Sequence, residues 1–237
     1  MQLTVVVPVY KQEKTAKNDI RAIFSVLTEA NLDFEIIVVV DGPTSPRLSA
    51  GLRGVKIYDL EKNFGKGYAV CYGMRRARGD AVAFIDGGGE LDPGLLVFFW
   101  HFMRATNADI VVGSKLHPAS EVSYPILRKI LSRGYQMLTR ILFGLWVRDT
   151  QVGVKMFRRE VIKKVAPRLL VKSYAFDIEI LAVSMHLGFN KIYEAPVKLK
   201  WKGGAGLSSK KIWVVIGRML WDTMAVFYRL RILRYYD

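Results

Sequence analysis

The sequence predicts an α/β protein with a mostly parallel mixed sheet flanked by helices, and three of its features carry that prediction. Short runs of Val, Ile and Leu alternate with stretches of helical period along the chain, which is the rhythm of successive βαβ units. One of these runs, Phe34 to Val40, is almost continuously apolar, as a strand covered on both faces reads. Two runs end in an acidic residue followed by glycine, at Asp41-Gly42 and Asp86-Gly87, and open α/β sheets bind ligands beyond the carboxyl ends of their strands.

In chain order, residues 3–9 read as a strand and a helix follows to about residue 30. Strands at 34–40 and 55–60 come next, and Gly65-Lys66-Gly67 opens a helix that runs to about residue 78. The strand at 81–85 runs into Asp86-Gly87-Gly88-Gly89-Glu90-Leu91-Asp92-Pro93, a glycine loop fringed with carboxylates. Three glycines let the backbone approach a bulky ligand, and Asp86, Glu90 and Asp92 offer the oxygen ligands a hard divalent cation takes. Asp92 before Pro93 also suits a plain helix N-cap. A helix over 95–103, a strand at 110–114 and a helix over 125–143 follow. In the last, Arg128, Lys129, Arg133 and Arg140 share one arc and Ile126, Ile130, Met137, Leu138 and Ile141 the other. Such a helix lies on a membrane surface or packs as an ordinary surface helix. Beyond the polar loop at 148–153, strand, helix and strand are expected at 154–157, 176–188 and 192–200.

Residues 202–206, Lys-Gly-Gly-Ala-Gly, form the one plausible boundary, dividing a domain at 1–206 from a helical tail at 207–237. In that tail Lys211, Arg218, Asp222 and Arg229 fall in a stripe about 40° wide, while most other positions are large and apolar. The tail is expected either to complete the core or to lie in a membrane interface, where Trp and Tyr are favoured.

With 237 residues, 51% of them hydrophobic, the chain can bury one sizeable core. The single cysteine, Cys71, excludes a disulfide framework and a cysteine metal site. The chain opens directly on a strand, and charges interrupt every long apolar window, so a protein of the cytoplasm that does not span the membrane is expected. Charge is divided sharply. Residues 1–112 hold 13 Lys/Arg and 13 Asp/Glu, whereas residues 113–237 hold 23 and 8 and so carry the whole net +15. The second half therefore faces an anionic partner. No helix-turn-helix, finger or RNP-like pattern accompanies that charge, so nucleic acid is not the expected one.

The order of segments resembles the GT-A glycosyltransferases of family 2, and among them the polyprenyl-phosphate sugar transferases. The likeness lies in Val7-Pro8-Val9-Tyr10 with Glu13, Asp41-Gly42, Asn63-Phe64-Gly65-Lys66-Gly67, Arg148-Asp149-Thr150-Gln151 with Gly153, Phe176-Asp177-Ile178-Glu179 and Glu194-Ala195-Pro196-Val197, in the family's order. The resemblance implies a Rossmann-like GT-A domain that takes a nucleotide-sugar donor and a polyprenyl or dolichyl phosphate acceptor. It places the donor at Pro8, Val9, Tyr10, Glu13, Asp41, Lys66, Asp86 and Gly87, with Asp86, Asp149 and Gln151 as catalytic residues. Asp86 and Glu90 would hold Mg²⁺ or Mn²⁺, and Ser114, Lys115, Arg128 and Arg133 the acceptor phosphate. Two departures stand out: Val40-Asp41-Gly42 replaces the family's paired acids, and Asp86-Gly87-Gly88 lacks the second acid of its Asp-x-Asp metal motif. The expected reaction is inverting transfer of a hexose from GDP-mannose or UDP-glucose at the inner face of a membrane, by a peripheral protein or one held by a membrane-spanning partner. An inactive nucleotide-sugar-binding or scaffolding homologue, and transfer to a soluble sugar, are the alternatives.

Overall fold

The computed structural model describes residues 1–11, 13–43, 51–121, 126–173, 175–199 and 209–237, with backbone alone at 13–14, 126–130 and 209–213. Seven strands make one sheet: β1 (Leu3–Val9), β2 (Phe34–Val40), β3 (Val55–Asp59), β4 (Ala81–Ile85), β5 (Ile110–Ser114), β6 (Val154–Arg158) and β7 (Ile192–Pro196). Their order is β3-β2-β1-β4-β6-β5-β7. Every pairing is parallel except those of β6, which runs antiparallel between β4 and β5. The sheet is thus mixed and mostly parallel.

The helices are α1 (Glu13–Glu29), α2 (Lys66–Met74), α3 (Gly94–Thr106), α4 (Ile126–Phe143), α5 (Arg159–Val165), α6 (Phe176–His186) and α7 (Ser209–Arg231). α5, and the 3-10 turn Ala166–Arg168 after it, lie outside the expected elements. The expected helix to residue 78 stops at Met74, and the expected strand to residue 200 stops at Pro196. Alternate residues of each strand point to opposite faces, and each face carries its own core. Val5, Val7, Ile36 and Val38 pack with Ile20 and Leu27 of α1 and with Leu96 and Phe99 of α3. On the other face Val6, Ile37, Val39 and Phe84 pack with Val70 and Met74 of α2, Val161 of α5, and Phe176 and Ile180 of α6.

The carboxyl-terminal helix closes this second core. Val226 and Leu230 of α7, together with Tyr236, are buried in it. Two residues of its polar stripe are engaged by the domain: Asp222 accepts from Ser173 Oγ at 2.6 Å, and Arg229 reaches Glu179 at 3.2 Å, whereas Arg218 is exposed and the side chain of Lys211 lies outside the described residues. Apolar residues are left outside, with Trp221 77% exposed and Met224 and Tyr228 about half exposed. Of the two settings expected for the tail, α7 takes the first in this respect, with Arg229 paired to a buried carboxylate.

Candidate active site

Parallel strands deliver their carboxyl ends to one edge of the sheet, and the antiparallel β6 begins at that same edge. A cleft of about 650 Å³ opens there. Pro8, Val9 and Tyr10 reach it from the end of β1, Asp41 from β2, Lys66 from the start of α2, Asp86, Gly87 and Glu90 from β4, Lys115 from β5, and Gln151 from the turn into β6. Six separated stretches of sequence therefore meet in one place.

Asp86 leads the chain out of β4, and its backbone N–H donates to Gly153 O at 2.7 Å. Its Oδ2 accepts from Lys66 Nζ at 2.8 Å, and the two side chains are 38% and 28% exposed. A β-carbon on Gly153 would stand 2.0 Å from that same oxygen, so glycine is the residue that lets the loop before β6 lie against Asp86. Asp41 is buried and engaged. Its two oxygens accept from the N–H groups of Phe64 and Gly65 at 2.7 and 2.9 Å, which fixes the loop that presents Lys66.

Asp149 stands behind the cleft wall. It is buried, accepts from the Lys115 and Gln151 N–H groups at 3.2 and 3.0 Å, and lies 3.6 Å from Lys115 Nζ. The Arg148 and Asp149 N–H groups donate to Glu194 Oε1 at 2.6 and 3.2 Å. Asp149 thus positions Lys115 and Gln151 and does not itself line the cleft. Gln151 Nε2 is buried without a hydrogen-bond partner among the described residues. An orphaned donor in a cleft wall is where a ligand oxygen would accept a hydrogen bond.

Of the remaining residues expected at the site, Ser114 is fully buried and its hydroxyl lacks a partner within the described residues; it is outside the cleft lining because the β5 side chain there points into the core. Arg133 is exposed on α4 and likewise not in the lining. The side chains of Glu13 and Arg128 lie outside the described residues. Asp92 accepts from the Gly94 N–H at 2.9 Å, a local turn of its own side chain; Pro93, not Asp92, takes the N-cap position of α3.

Sequence reasoning passed over Lys155, a fully buried lysine beneath the cleft. Its Nζ donates to Val152 O at 2.8 Å and pairs with buried Asp177. Burial pushes the ammonium below its ordinary range, Asp177 pulls it back, and nearby Lys66 pushes it lower. No signal in Val154-Lys155-Met156-Phe157 marked it, because alternation in a short strand reads a lone lysine as facing solvent. Asn63, Ser173 and Leu199 also line the cleft.

No three His, Cys, Asp or Glu side chains among the described residues converge closely enough to hold a metal unaided. The donors nevertheless suit a hard cation shared with a diphosphate. Asp86 opens to the cleft, Glu90 is exposed on its lining, and Mg²⁺ is commonly held by one or two carboxylates with phosphate oxygens and water.

Comparison with known proteins gives the family and the fold. Residues 4–166 match the model of the family described as Glycosyl transferase family 2. The human dolichyl-phosphate beta-glucosyltransferase is 30% identical over 258 residues, covering 98% of this chain and 76% of that protein. The Drosophila melanogaster protein of the same name is 29% identical, covering 93% and 74%. Among solved structures, glucosyl-3-phosphoglycerate synthase from Mycobacterium tuberculosis, in complex with Mn²⁺, UDP-glucose and phosphoglyceric acid, superposes with a TM-score of 0.72. It is 16% identical, with 95% of this chain and 79% of that one covered, a likeness of fold.

Proposed function

Since the chain belongs to glycosyl transferase family 2, we propose that it transfers glucose from UDP-glucose to a dolichyl or related polyprenyl phosphate, working peripherally on the cytoplasmic face of a membrane. The observation that carries this reading is the single cleft joining Asp86, Lys66, Lys115 and Gln151. The named activity of relatives that align along nearly the whole chain supports the acceptor and the sugar.

The reaction brings two anions together, a donor diphosphate and an acceptor phosphate. A divalent cation, Mg²⁺ or Mn²⁺, held by Asp86 with Glu90 in reach, would supply charge neutralisation on the departing diphosphate. Lys66 adds a second positive charge on the donor side. Lys115, tethered by Asp149, faces the cleft from β5 and suits the acceptor phosphate. Gln151 Nε2 is the donor left to orient a sugar hydroxyl or a phosphate oxygen. A phosphate monoester is already largely ionised near neutrality, its second pKa being about 6, so attack needs no strong general base. One displacement on an α-linked donor inverts the anomeric centre, in keeping with the β linkage in the relatives' names.

The test is transfer of radiolabelled sugar from a panel of nucleotide sugars into organic-extractable polyprenyl phosphate, with Mg²⁺ or Mn²⁺ in detergent. Labelled lipid from UDP-glucose, lost with chelator and in Asp86→Ala, is the expected result. Label appearing only in water-soluble product would overturn the lipid acceptor. Binding of donor without turnover would identify an inactive homologue.

A further inference from the structure

One carboxylate oxygen of Asp86, the residue expected to hold a metal, already faces a positive charge of the protein. Lys66 Nζ lies 2.8 Å from Asp86 Oδ2, and both side chains line the cleft. We propose that Lys66 shields Asp86 from free divalent cation, so that metal binds together with the nucleoside diphosphate and hardly at all before it. This inference rests on the reading of the cleft as a nucleotide-sugar site.

Three observations support it. Position 88 holds glycine and so offers no side-chain oxygen. Its φ of +113° lies in the region that L side chains rarely adopt, and its N–H donates to Asp19 Oδ2 at 2.8 Å, so the loop is set in a shape that disfavours an acid there. No group of three metal-ligating side chains forms among the described residues. The cleft thus presents Asp86, already paired, and exposed Glu90.

A neighbouring unit charge weakens cation binding to a carboxylate considerably. A divalent ion competing for the same oxygen meets the repulsion of the ammonium, which water screens in part because the two side chains are 38% and 28% exposed. A bound diphosphate changes the balance twice. It offers Lys66 a different anion, which frees Asp86, and it contributes oxygens of its own to the metal. Metal and diphosphate then bind with positive coupling, and the coupling must be reciprocal.

Mn²⁺ binding to the full chain, read from the signal of the free aqueous ion by electron paramagnetic resonance, tests this without turnover. In the wild type, Mn²⁺ should bind weakly alone and at least about tenfold more tightly with saturating UDP. Lys66→Met should raise nucleotide-free Mn²⁺ affinity about tenfold, shrink the coupling, and lose the gain when Asp86→Ala is added. Lys66→Arg, which keeps the charge, should bind nucleotide-free Mn²⁺ as weakly as the wild type. Should Lys66→Met fail to fold, Lys66→Gln makes the same comparison. Unchanged or weaker nucleotide-free Mn²⁺ binding in the neutral variant overturns the proposal, as does wild-type Mn²⁺ binding that is equally tight with and without UDP while UDP itself binds. If UDP does not bind at any metal concentration, it is the nucleotide-sugar reading that fails, and the effect of Lys66→Met on Mn²⁺ alone still decides whether Lys66 shields Asp86.

Discussion

A β-carbon on Gly153 would stand 2.0 Å from Asp86 Oδ2 and 2.3 Å from its Cγ, which side-chain rotation relieves, and 2.9 Å from its Cβ, which only a small backbone shift relieves. Gly153→Ala should therefore turn Asp86 away from Lys66 and ease the two loops slightly apart. Misplacing a reacting group by about 1 Å can cost a hundredfold in rate, so turnover should fall by about that factor or more while the melting temperature moves by only a few degrees. Steady-state kinetics beside a thermal melt would measure both, and near-wild-type turnover would show that the placement of Asp86 is not limiting. The residues around this glycine were unequally legible in the sequence. Asp41, Lys66 and Asp86 could be grouped because each follows a recognisable strand or opens a helix at one sheet edge. Ser114 could not be excluded in advance, since the last residue of a strand points either into the cleft or into the core. Lys155 was hidden because only the fold places Asp177 opposite it. Removing either charge of that buried pair costs about 3–5 kcal/mol, which makes Lys155→Met a stability variant before it is a kinetic one.

At the scale of elements, α6 and the carboxyl-terminal tail are joined through one buried carboxylate. Glu179 accepts from Tyr236 OH at 2.6 Å, from the Leu170 N–H at 3.0 Å and from the Val171 N–H at 2.8 Å, with Arg229 at 3.2 Å. Burial raises its carboxyl above the ordinary 4.5, and the Tyr236 hydroxyl, the two backbone N–H groups and Arg229 draw it part of the way back. A carboxyl raised in the folded state contributes stability below its unfolded value and loses that contribution as pH rises through the folded value. Tyr236→Phe removes a donor to the charged form, so the folded value climbs further and the variant's deficit should grow with pH. We expect a loss of about 1–3 kcal/mol near pH 7.5 and a clearly smaller one near pH 4.5, from denaturant titrations of both proteins at each pH. Equal deficits at the two pH values would show that the hydroxyl stabilises packing and not the carboxylate charge. The strands of this fold were readable from their Val and Ile runs. The reversed direction of β6 was not, because a five-residue apolar strand reads alike both ways, and it is that reversal which carries the 149–153 loop to Asp86.

Across the whole molecule, charge and exposed apolar surface are concentrated in the second half of the chain. The net +15 comes from residues 113–237, as do Trp146 and Trp221, which are 76% and 77% exposed. α4 and α7 are neighbours, joined by Tyr135 to Thr223 at 2.9 Å and by the rings of Phe143 and Phe227. Both leave apolar side chains outside, Met137 and Ile141 on α4 and Met224 and Tyr228 on α7. The inward contacts of Asp222 and Arg229 leave this apolar face of α7 in solvent, where it gains nothing for the isolated fold. Contact with a bilayer interface would give Trp, Tyr and Arg their favoured setting, and basic residues near an anionic surface contribute about 1 kcal/mol each. No helix among the described residues is long and apolar enough to cross a membrane; the contact proposed is made by these exposed faces. Trp146→Ser with Trp221→Ser should weaken sedimentation with anionic phospholipid vesicles about tenfold or more, since burying one large apolar side chain is worth about 1.5–3 kcal/mol. Binding of the wild type should also weaken as salt is raised. Exposed positions seldom change stability by more than about 0.5 kcal/mol, so the melting temperature should hold. Turnover of a short-chain, water-soluble prenyl phosphate should hold as well, because neither tryptophan lines the cleft. Vesicle binding that survives the double substitution would move the contact elsewhere on the basic half. Loss of turnover on the soluble acceptor would mean instead that these residues serve the cleft itself.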